Sequence, residues 1–154
     1  MVLLKNNENL LPIDPTKHFV IVGDSAQSIN SQMGGWTITW QARENKNSDY
    51  KNVQNIYSAL ASNIVNQGGT VEFSRDGSYK KKPDAVIAVY GEEPYAEGDG
   101  DRKDLQFLSK DSTYLKIMES FNTQEFPIIS IFLSGRPLEI CLLYTSPSPR
   151  DVEE

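Results

Sequence analysis

The sequence predicts an α/β fold in which a mostly parallel sheet is flanked by helices. Short, near-continuous apolar runs rich in β-branched residues alternate along the chain with longer segments of helical periodicity. Strands that are covered by helices on both faces have this composition, and their alternation with helices is typical of parallel sheets. The 154 residues are the size of one domain, with enough chain for a sizeable core.

The strands follow from length, composition and flanking turn residues. Four runs qualify, and they comprise residues 19–23, 70–73, 84–90 and 128–133. Each is short, apolar and bounded on at least one side by glycine, proline or polar residues, as buried strands are.

Two segments between these strands have the periodicity of amphipathic helices. The first extends from Asn52 to about Gln67, and Gly68-Gly69 is expected to end it as a C-terminal cap. The second extends from about residue 111 to 122, with Asp111 or Ser112 as its N-terminal cap. The apolar faces consist of Val53, Ile56, Tyr57, Leu60 and Ile64 in the first helix, and of Tyr114, Ile117, Met118 and Phe121 in the second.

Composition excludes several classes of function. The net charge is −6, and residues 80–82 form the only cationic cluster, so no nucleic-acid partner is expected. No apolar run approaches the roughly 20 residues that span a bilayer, so no membrane partner is expected either. The chain has one cysteine, Cys141, and one histidine, His18, which argues against a metal site, and no cofactor is expected.

The most informative segment directly follows the third strand. Residues 91–101 form a glycine-punctuated loop with five carboxylates and one aromatic ring. Ligands of open α/β sheets bind beyond the carboxyl ends of the strands. Carboxylates on this loop are therefore placed for chemistry on a polar, uncharged substrate such as a sugar.

A long connection between the first strand and the first helix carries both tryptophans. It comprises residues 24–51 and includes Gly34-Gly35-Trp36-Thr37 and Trp40-Gln41. Connections of this length in a compact domain are usually functional. Glycines beside Trp36 allow close backbone approach, and an exposed indole offers an apolar face to a pyranose ring.

The C-terminal end differs in composition from the rest. Residues 141–151 resemble translated sequencing-adapter sequence, and Pro147 and Pro149 exclude a regular helix or a central strand within residues 141–154. We expect a non-native, disordered tail, and we assign no role to Cys141.

Five segments in chain order resemble one family. They are Val2-Leu3-Leu4-Lys5-Asn6 with Leu10-Leu11-Pro12, Val20-Ile21-Val22-Gly23, Gly34-Gly35-Trp36-Thr37 with Trp40-Gln41, Gly91-Glu92-Glu93-Pro94-Tyr95-Ala96-Glu97 with Gly100-Asp101, and Leu133-Ser134-Gly135-Arg136-Pro137. Residues 1–140 thereby resemble the second, α/β-sandwich domain of glycoside hydrolase family 3, nearest to its β-glucosidase and exo-β-glucanase branch. The resemblance implies that the sandwich is incomplete at its C-terminal end.

The resemblance also implies a function and the catalytic residue that each of two domains supplies. Family members are retaining β-glycosidases in which a barrel domain supplies an aspartate nucleophile and the second domain supplies the acid/base glutamate. Glu97 matches the acid/base position, with Glu92 as its rival, and Trp36 matches the tryptophan that sandwiches the sugar. The implied partners are a β-glucoside or β-glucan oligosaccharide and the N-terminal barrel domain of the same enzyme. Without that barrel the chain is expected to be inactive.

Physical chemistry adds expectations about individual side chains. Desolvation by Trp36 and Tyr95, with neighbouring carboxylates, is expected to raise the pKa of the acid/base, and Tyr95 is expected to contact substrate. Trp40 is expected to be a packing residue, and Glu92 to accept backbone hydrogen bonds in its loop.

Two other interpretations remain open at this point. The chain could be a non-catalytic carbohydrate-binding or interaction module, with Trp36 as a stacking platform. It could also be a flavodoxin-like nucleotide binder, because Gly23-Asp24-Ser25-Ala26 follows a strand. The absence of phosphate-loop spacing argues against nucleotide binding.

Overall fold

The computed structural model describes residues 1–6, 9–107 and 113–139. Within them, four strands form one fully parallel sheet: β1 (His18–Val22), β2 (Thr70–Ser74), β3 (Ala85–Gly91) and β4 (Ile128–Leu133). Their spatial order is β2-β1-β3-β4. The predicted α/β class and parallel sheet are confirmed.

Three α-helices accompany the sheet in the described residues: α1 (Ile29–Met33), α2 (Ile56–Asn66) and α3 (Thr113–Thr123). Both predicted helices are present, as α2 and α3. The predicted start of α2 at Asn52 was wrong, because the Asn55 side chain caps the helix by accepting the Ser58 N–H at 2.7 Å. The predicted caps Asp111 and Ser112 and the predicted tail 141–154 lie outside the described residues.

The predicted glycine cap of α2 is confirmed. The N–H of Gly69 donates to Ile64 O, and the N–H of Gly68 donates to Val65 O, both at 3.0 Å. These are the two hydrogen bonds of a Schellman motif. Gly68 has φ +90°, a conformation that glycine adopts without steric cost.

The core has one layer on each face of the sheet. On one face, Ile64 of α2 packs with Phe19, Ile21, Ile87 and Val89. On the other, α3 packs on alternate residues of β1 and β3; this second layer comprises Val20, Val22, Val86, Ala88, Tyr90, Ile117, Phe121 and Phe126. Alternate strand residues face opposite layers, so both faces need apolar residues and the strand runs are continuous.

The strand order places the site. From β1 the chain adds β2 on one side and then returns across β1 to add β3 on the other. Connections leaving the carboxyl ends of β1 and β3 therefore diverge at a topological switch point, where open parallel sheets bind ligands. The long tryptophan-bearing connection follows β1, and the acidic loop follows β3.

Candidate functional site

Two loops meet at this edge of the sheet. We call residues 34–43 the tryptophan loop and residues 91–101 the acidic loop. They are about 55 residues apart in sequence, yet several hydrogen bonds join them. The parallel strands β1 and β3 bring them together, because neighbouring parallel strands end at the same edge.

A buried amide network holds the tryptophan loop from below. The Asn45 side chain is buried and donates to Thr37 O at 2.7 Å and to the Tyr50 hydroxyl oxygen at 3.0 Å. That hydroxyl donates to Asn30 Oδ1 at 2.6 Å, and Asn30 Nδ2 donates to Ala42 O at 2.6 Å. Buried polar groups that all have partners fix one geometry, so the loop is built as a rigid platform.

Gly35 permits the two loops to touch through their backbones. A Cβ atom at this position would lie 2.1 Å from Tyr95 O and 2.6 Å from Tyr95 C. The expectation that glycine beside Trp36 allows close backbone approach is confirmed.

The tip of the tryptophan loop has an unusual backbone. Trp36 and Ile38 have φ values of +60° and +71°, and Thr39 N–H donates to Thr37 O in a tight three-residue turn. A β-branched residue with positive φ is a steric outlier, and such strain concentrates at functional sites. The turn leaves the side chains of Trp36 and Trp40 pointing outward, 68% and 52% exposed.

Both indoles hydrogen-bond to Glu97. Trp36 Nε1 donates to Glu97 Oε2 at 2.7 Å, and Trp40 Nε1 donates to the same oxygen at 3.0 Å. The two rings lie 6.2 Å apart, tilted by 44°. Trp40 therefore does more than pack, which sequence reasoning missed. The spacing of four residues between Trp36 and Trp40 was the feature of the sequence that could have indicated a shared role.

These contacts reverse the expected direction of the Glu97 pKa. The hydrogen bond from Trp40, followed by the residue's own backbone N–H and the Trp36 indole, lowers the pKa of Glu97 below its usual value. Donors to a carboxylate stabilise the charged form. The prediction of a raised pKa was wrong for this structure, because these hydrogen bonds lower the pKa of the exposed Glu97 side chain by more than desolvation raises it. The neighbouring carboxylate of Asp99 is also paired with Arg43 at 2.8 Å.

Glu92 lies in a different environment. Its side chain is 10% exposed and accepts from the hydroxyls of Tyr95 at 3.1 Å and Ser134 at 2.7 Å. Two guanidinium groups lie beside it, with Arg102 Nη1 at 3.4 Å and Arg136 Nε at 3.7 Å. Glu92 is thus an anchor of the acidic loop, through side-chain donors rather than the expected backbone N–H groups.

Tyr95 belongs to the same anchor. Its hydroxyl accepts from Arg136 Nε at 2.6 Å, and the Arg136 guanidinium lies 3.9 Å from the ring centroid. Arg136 also donates to Gly100 O at 2.6 Å. The expected contact of Tyr95 with substrate stays a prediction. In this structure its hydroxyl is bonded to Glu92 and Arg136, and Arg136 covers one face of its ring.

Gln41 belongs to one of the five motifs, but the sequence predicted no role for it. Its Nε2 donates to Glu97 O at 2.8 Å, and its Oε1 accepts the Ala96 N–H at 2.7 Å. A single carboxamide thus pairs with the backbone on both sides of one peptide unit. Arg43, also unpredicted, adds a longer contact to Pro94 O at 3.4 Å.

We next looked for residues that could bind a metal ion. Among residues 1–6, 9–107 and 113–139, no group of three His, Cys, Asp or Glu side chains is arranged to hold a metal ion. His18 is buried at the start of β1, with Nδ1 2.8 Å from Thr70 Oγ1.

An open, polar cleft of about 360 Å³ lies beyond β1 and β2, lined by Asp24, Gln27, Ser28, Asn47, Phe73 and Arg75. No helix in the described part is long and apolar enough to cross a bilayer.

Comparison with known proteins agrees with this arrangement. The family model of the glycosyl hydrolase family 3 C-terminal domain matches residues 1–146. The chain belongs to glycosyl hydrolase family 3. The resemblance stated from its five motifs is thereby confirmed.

Solved structures support the fold of this family 3 domain. The exo-1,3/1,4-beta-glucanase (ExoP) of a Pseudoalteromonas species superposes with a TM-score of 0.88 at 41% identity. The match covers 93% of this chain and 18% of the glucanase chain. A mutant of the same glucanase gives the same TM-score and identity.

Two curated relatives are similar over most of the family 3 domain. The lysosomal beta glucosidase of Dictyostelium discoideum is 27% identical, with 89% of this chain and 18% of the relative covered. The beta-xylosidase of Formosa agariphila is 24% identical, with 91% of this chain and 21% of the relative covered. The chain spans about a fifth of the length of these relatives.

Proposed function

We propose that this domain supplies the acid/base carboxyl group of a retaining β-glycosidase that acts on β-glucosides or β-glucan oligosaccharides. Glu97 is the proposed acid/base, and Trp36 is the proposed platform for the sugar. The nucleophile would come from a barrel domain of the same enzyme. Membership of a hydrolase family and the β-glucanase and β-glucosidase relatives support this proposal.

The exposure of Glu97 next to two exposed indoles carries the proposal. A proton donor must reach the glycosidic oxygen of a bound sugar, and Glu97 projects from the edge of the sheet beside Trp36. Glu92 accepts three hydrogen bonds, from Tyr95, Ser134 and Arg102, and its side chain is 10% exposed, which favours an anchoring role for it.

The lowered pKa of Glu97 is that of the domain by itself, in which the Glu97 side chain is exposed. An acid catalyst must be protonated at the working pH, and burial against an apolar surface raises a carboxyl pKa. Covering Glu97 with a sugar and a second domain would remove water from it. Retaining hydrolysis also requires a second carboxyl group about 5–5.5 Å away, which the barrel would provide.

Leaving-group dependence tests the assignment of the acid/base. In a chimera, the domain would replace its counterpart in the Pseudoalteromonas exo-glucanase. The kcat/KM of the chimera would be measured on cellobiose and on a dinitrophenyl β-glucoside. The dinitrophenolate departs without protonation, so Glu97→Gln should lower kcat/KM on cellobiose by about 10²–10⁴-fold and on the activated substrate far less. Glu92→Gln, the matched control, should lower both alike.

A different pattern would overturn the assignment. If Glu92→Gln showed the selective loss and Glu97→Gln did not, Glu92 would be the acid/base. If the unmodified chain alone hydrolysed an aryl β-glucoside, and Glu97→Gln abolished this activity, a nucleophile within the chain would be required and the proposed need for a barrel would be wrong.

The second candidate is a non-catalytic carbohydrate-binding module. The 68% exposed ring of Trp36 favours it, since an exposed indole can stack on a pyranose without any barrel. Titrating the chain with glucose and laminari-oligosaccharides while following tryptophan fluorescence distinguishes the two. Saturable binding that Trp36→Ala abolishes, together with full activity of the Glu97→Gln chimera, would favour the module.

A further inference from the structure

We propose that Trp40 and Gln41 are positioning residues for Glu97, and that Glu97 carries its transferable proton on Oε1. This inference rests on the proposed function, because it concerns how the proposed acid/base is held. Neither residue needs to contact substrate for this role.

The hydrogen bonds to Glu97 distinguish its two carboxyl oxygens. Oε2 accepts both indole N–H groups, at 2.7 Å from Trp36 and 3.0 Å from Trp40. A carboxylate oxygen has two lone pairs, so both on Oε2 are in use while these bonds persist. A proton that joins Glu97 is therefore directed to Oε1, the oxygen to which neither indole is bonded.

Gln41 fixes the backbone from which the Glu97 side chain extends. Its carboxamide donates to Glu97 O at 2.8 Å and accepts the Ala96 N–H at 2.7 Å. The two bonded groups belong to the peptide units on either side of the one that joins Ala96 to Glu97, so two bonds from one planar group restrain the backbone before and after it. Two consecutive residues thus hold Glu97: Gln41 bonds to its backbone, and Trp40 bonds to its carboxyl group.

Trp40 and Trp36 have different tasks under this proposal. The Trp36 ring is the more exposed, at 68%, and its face is open to a sugar. The backbone N–H of Trp36 donates to Trp40 O at 2.9 Å, which closes the turn between them. A sugar would stack on the Trp36 ring face and leave its N–H on Oε2, while Trp40 supplies the second donor, so the carboxyl group keeps its direction during proton transfer.

The two tryptophans provide a direct spectroscopic test. The full chain contains two tryptophans, so ¹⁵N-tryptophan labelling gives two indole N–H resonances. Both should shift with pH at one shared midpoint below the usual glutamate pKa, over the pH range in which circular dichroism shows the chain folded. In Glu97→Gln neither resonance should titrate in this range.

Variants then separate the two positioning residues. Trp40→Phe keeps an aromatic ring but removes one donor, so the midpoint reported by the Trp36 resonance should move upward. Gln41→Met is similar in size without polar groups, and it should shift both resonances toward those of solvent-exposed indole. Gln32→Met is the control, because Gln32 Nε2 makes an exposed 3.5 Å contact to Gln54 O, away from Glu97, and it should change neither resonance.

The outcomes separate this inference from the proposed function. Indole resonances that do not titrate, or that titrate equally in Glu97→Gln, would overturn the positioning role even if Glu97→Gln inactivates the chimera. An unchanged midpoint in Trp40→Phe would overturn the role of Trp40. Titrating indoles combined with a fully active Glu97→Gln chimera would overturn the proposed function, and with it the proton-transfer role.

Discussion

Replacing Gly35 with alanine should separate the two loops of the site. An added Cβ would lie 2.1 Å from Tyr95 O, and both that oxygen and Gly35 belong to backbone. To reach 3.0 Å, below which Cβ contacts are essentially never found, the loops must move apart by about 0.9 Å. The 2.7 and 3.0 Å indole bonds to Glu97 would then stretch beyond hydrogen-bonding range.

The expected cost follows from overpacking. Forcing an extra carbon into a closely packed contact costs about 1–3 kcal/mol, so the free energy of unfolding in urea should fall by that amount. Both indole N–H resonances should move toward the values of free indole.

Gly34→Ala is the matched control for this prediction. Gly34 has φ +80° and ψ −177°, a conformation found almost exclusively in glycine, but no atom lies within 4 Å of its added Cβ. Alanine there costs about 1–3 kcal/mol of backbone strain without pushing the two loops apart. It should leave the indole resonances in place. Unchanged stability and unchanged indole resonances in Gly35→Ala would refute the reasoning that this glycine is required for loop contact.

Three further predictions concern the scaffold. Phe121→Ala should lower the free energy of urea unfolding by about 3–5 kcal/mol, because the ring is 1% exposed at the centre of one core layer; a loss below about 1 kcal/mol would contradict that packing. Asp76 accepts hydrogen bonds, first from the Ser78 hydroxyl, that lower its pKa to about 2. Because its folded pKa is depressed, its contribution to stability is present above about pH 4 and is lost as the pH falls toward about 2. Asp76→Asn should therefore flatten the pH dependence of urea unfolding in that window, and an unaltered dependence would count against the contact. Ile38→Gly should stabilise the chain by about 0.5–1 kcal/mol in the same assay, because relief of positive-φ strain exceeds the entropic cost of glycine. Ile38→Val, which keeps the β-branch, should bring no gain, and equal effects of the two changes would exclude strain relief.

The elements of the fold were predictable because their signals are local. The apolar run of β3 and the glycine cap of α2 depend on residues that are neighbours in sequence, and both are confirmed. The start of α2 was placed four residues too early, because Val53 has the right spacing for the helix but lies before the Asn55 cap.

The site was predictable only in part. The acidic loop, the exposure of Trp36 and the resemblance to family 3 were visible in the sequence. The direction of the Glu97 pKa was not, because it depends on two indole donors about 60 residues away. The anchoring of Glu92 also depends in part on contacts across the sheet edge, with Ser134 and Arg136, which follow β4.

The sequence by itself determined the strands, the two longer helices α2 and α3, the family and the residue types at the edge of the sheet. Apolar periodicity and short motifs carry that information, since each acts over a few residues. The tertiary structure decided which side chains meet. By pairing β1 with β3 in parallel, it brought Trp40 and Gln41 onto Glu97, while Glu92, five residues earlier on the same loop, was enclosed by arginines. Two glutamates of the same loop thus acquired different environments: Glu97 meets indoles about 60 residues away, and Glu92 meets Ser134 and Arg136 together with the nearby Tyr95 and Arg102.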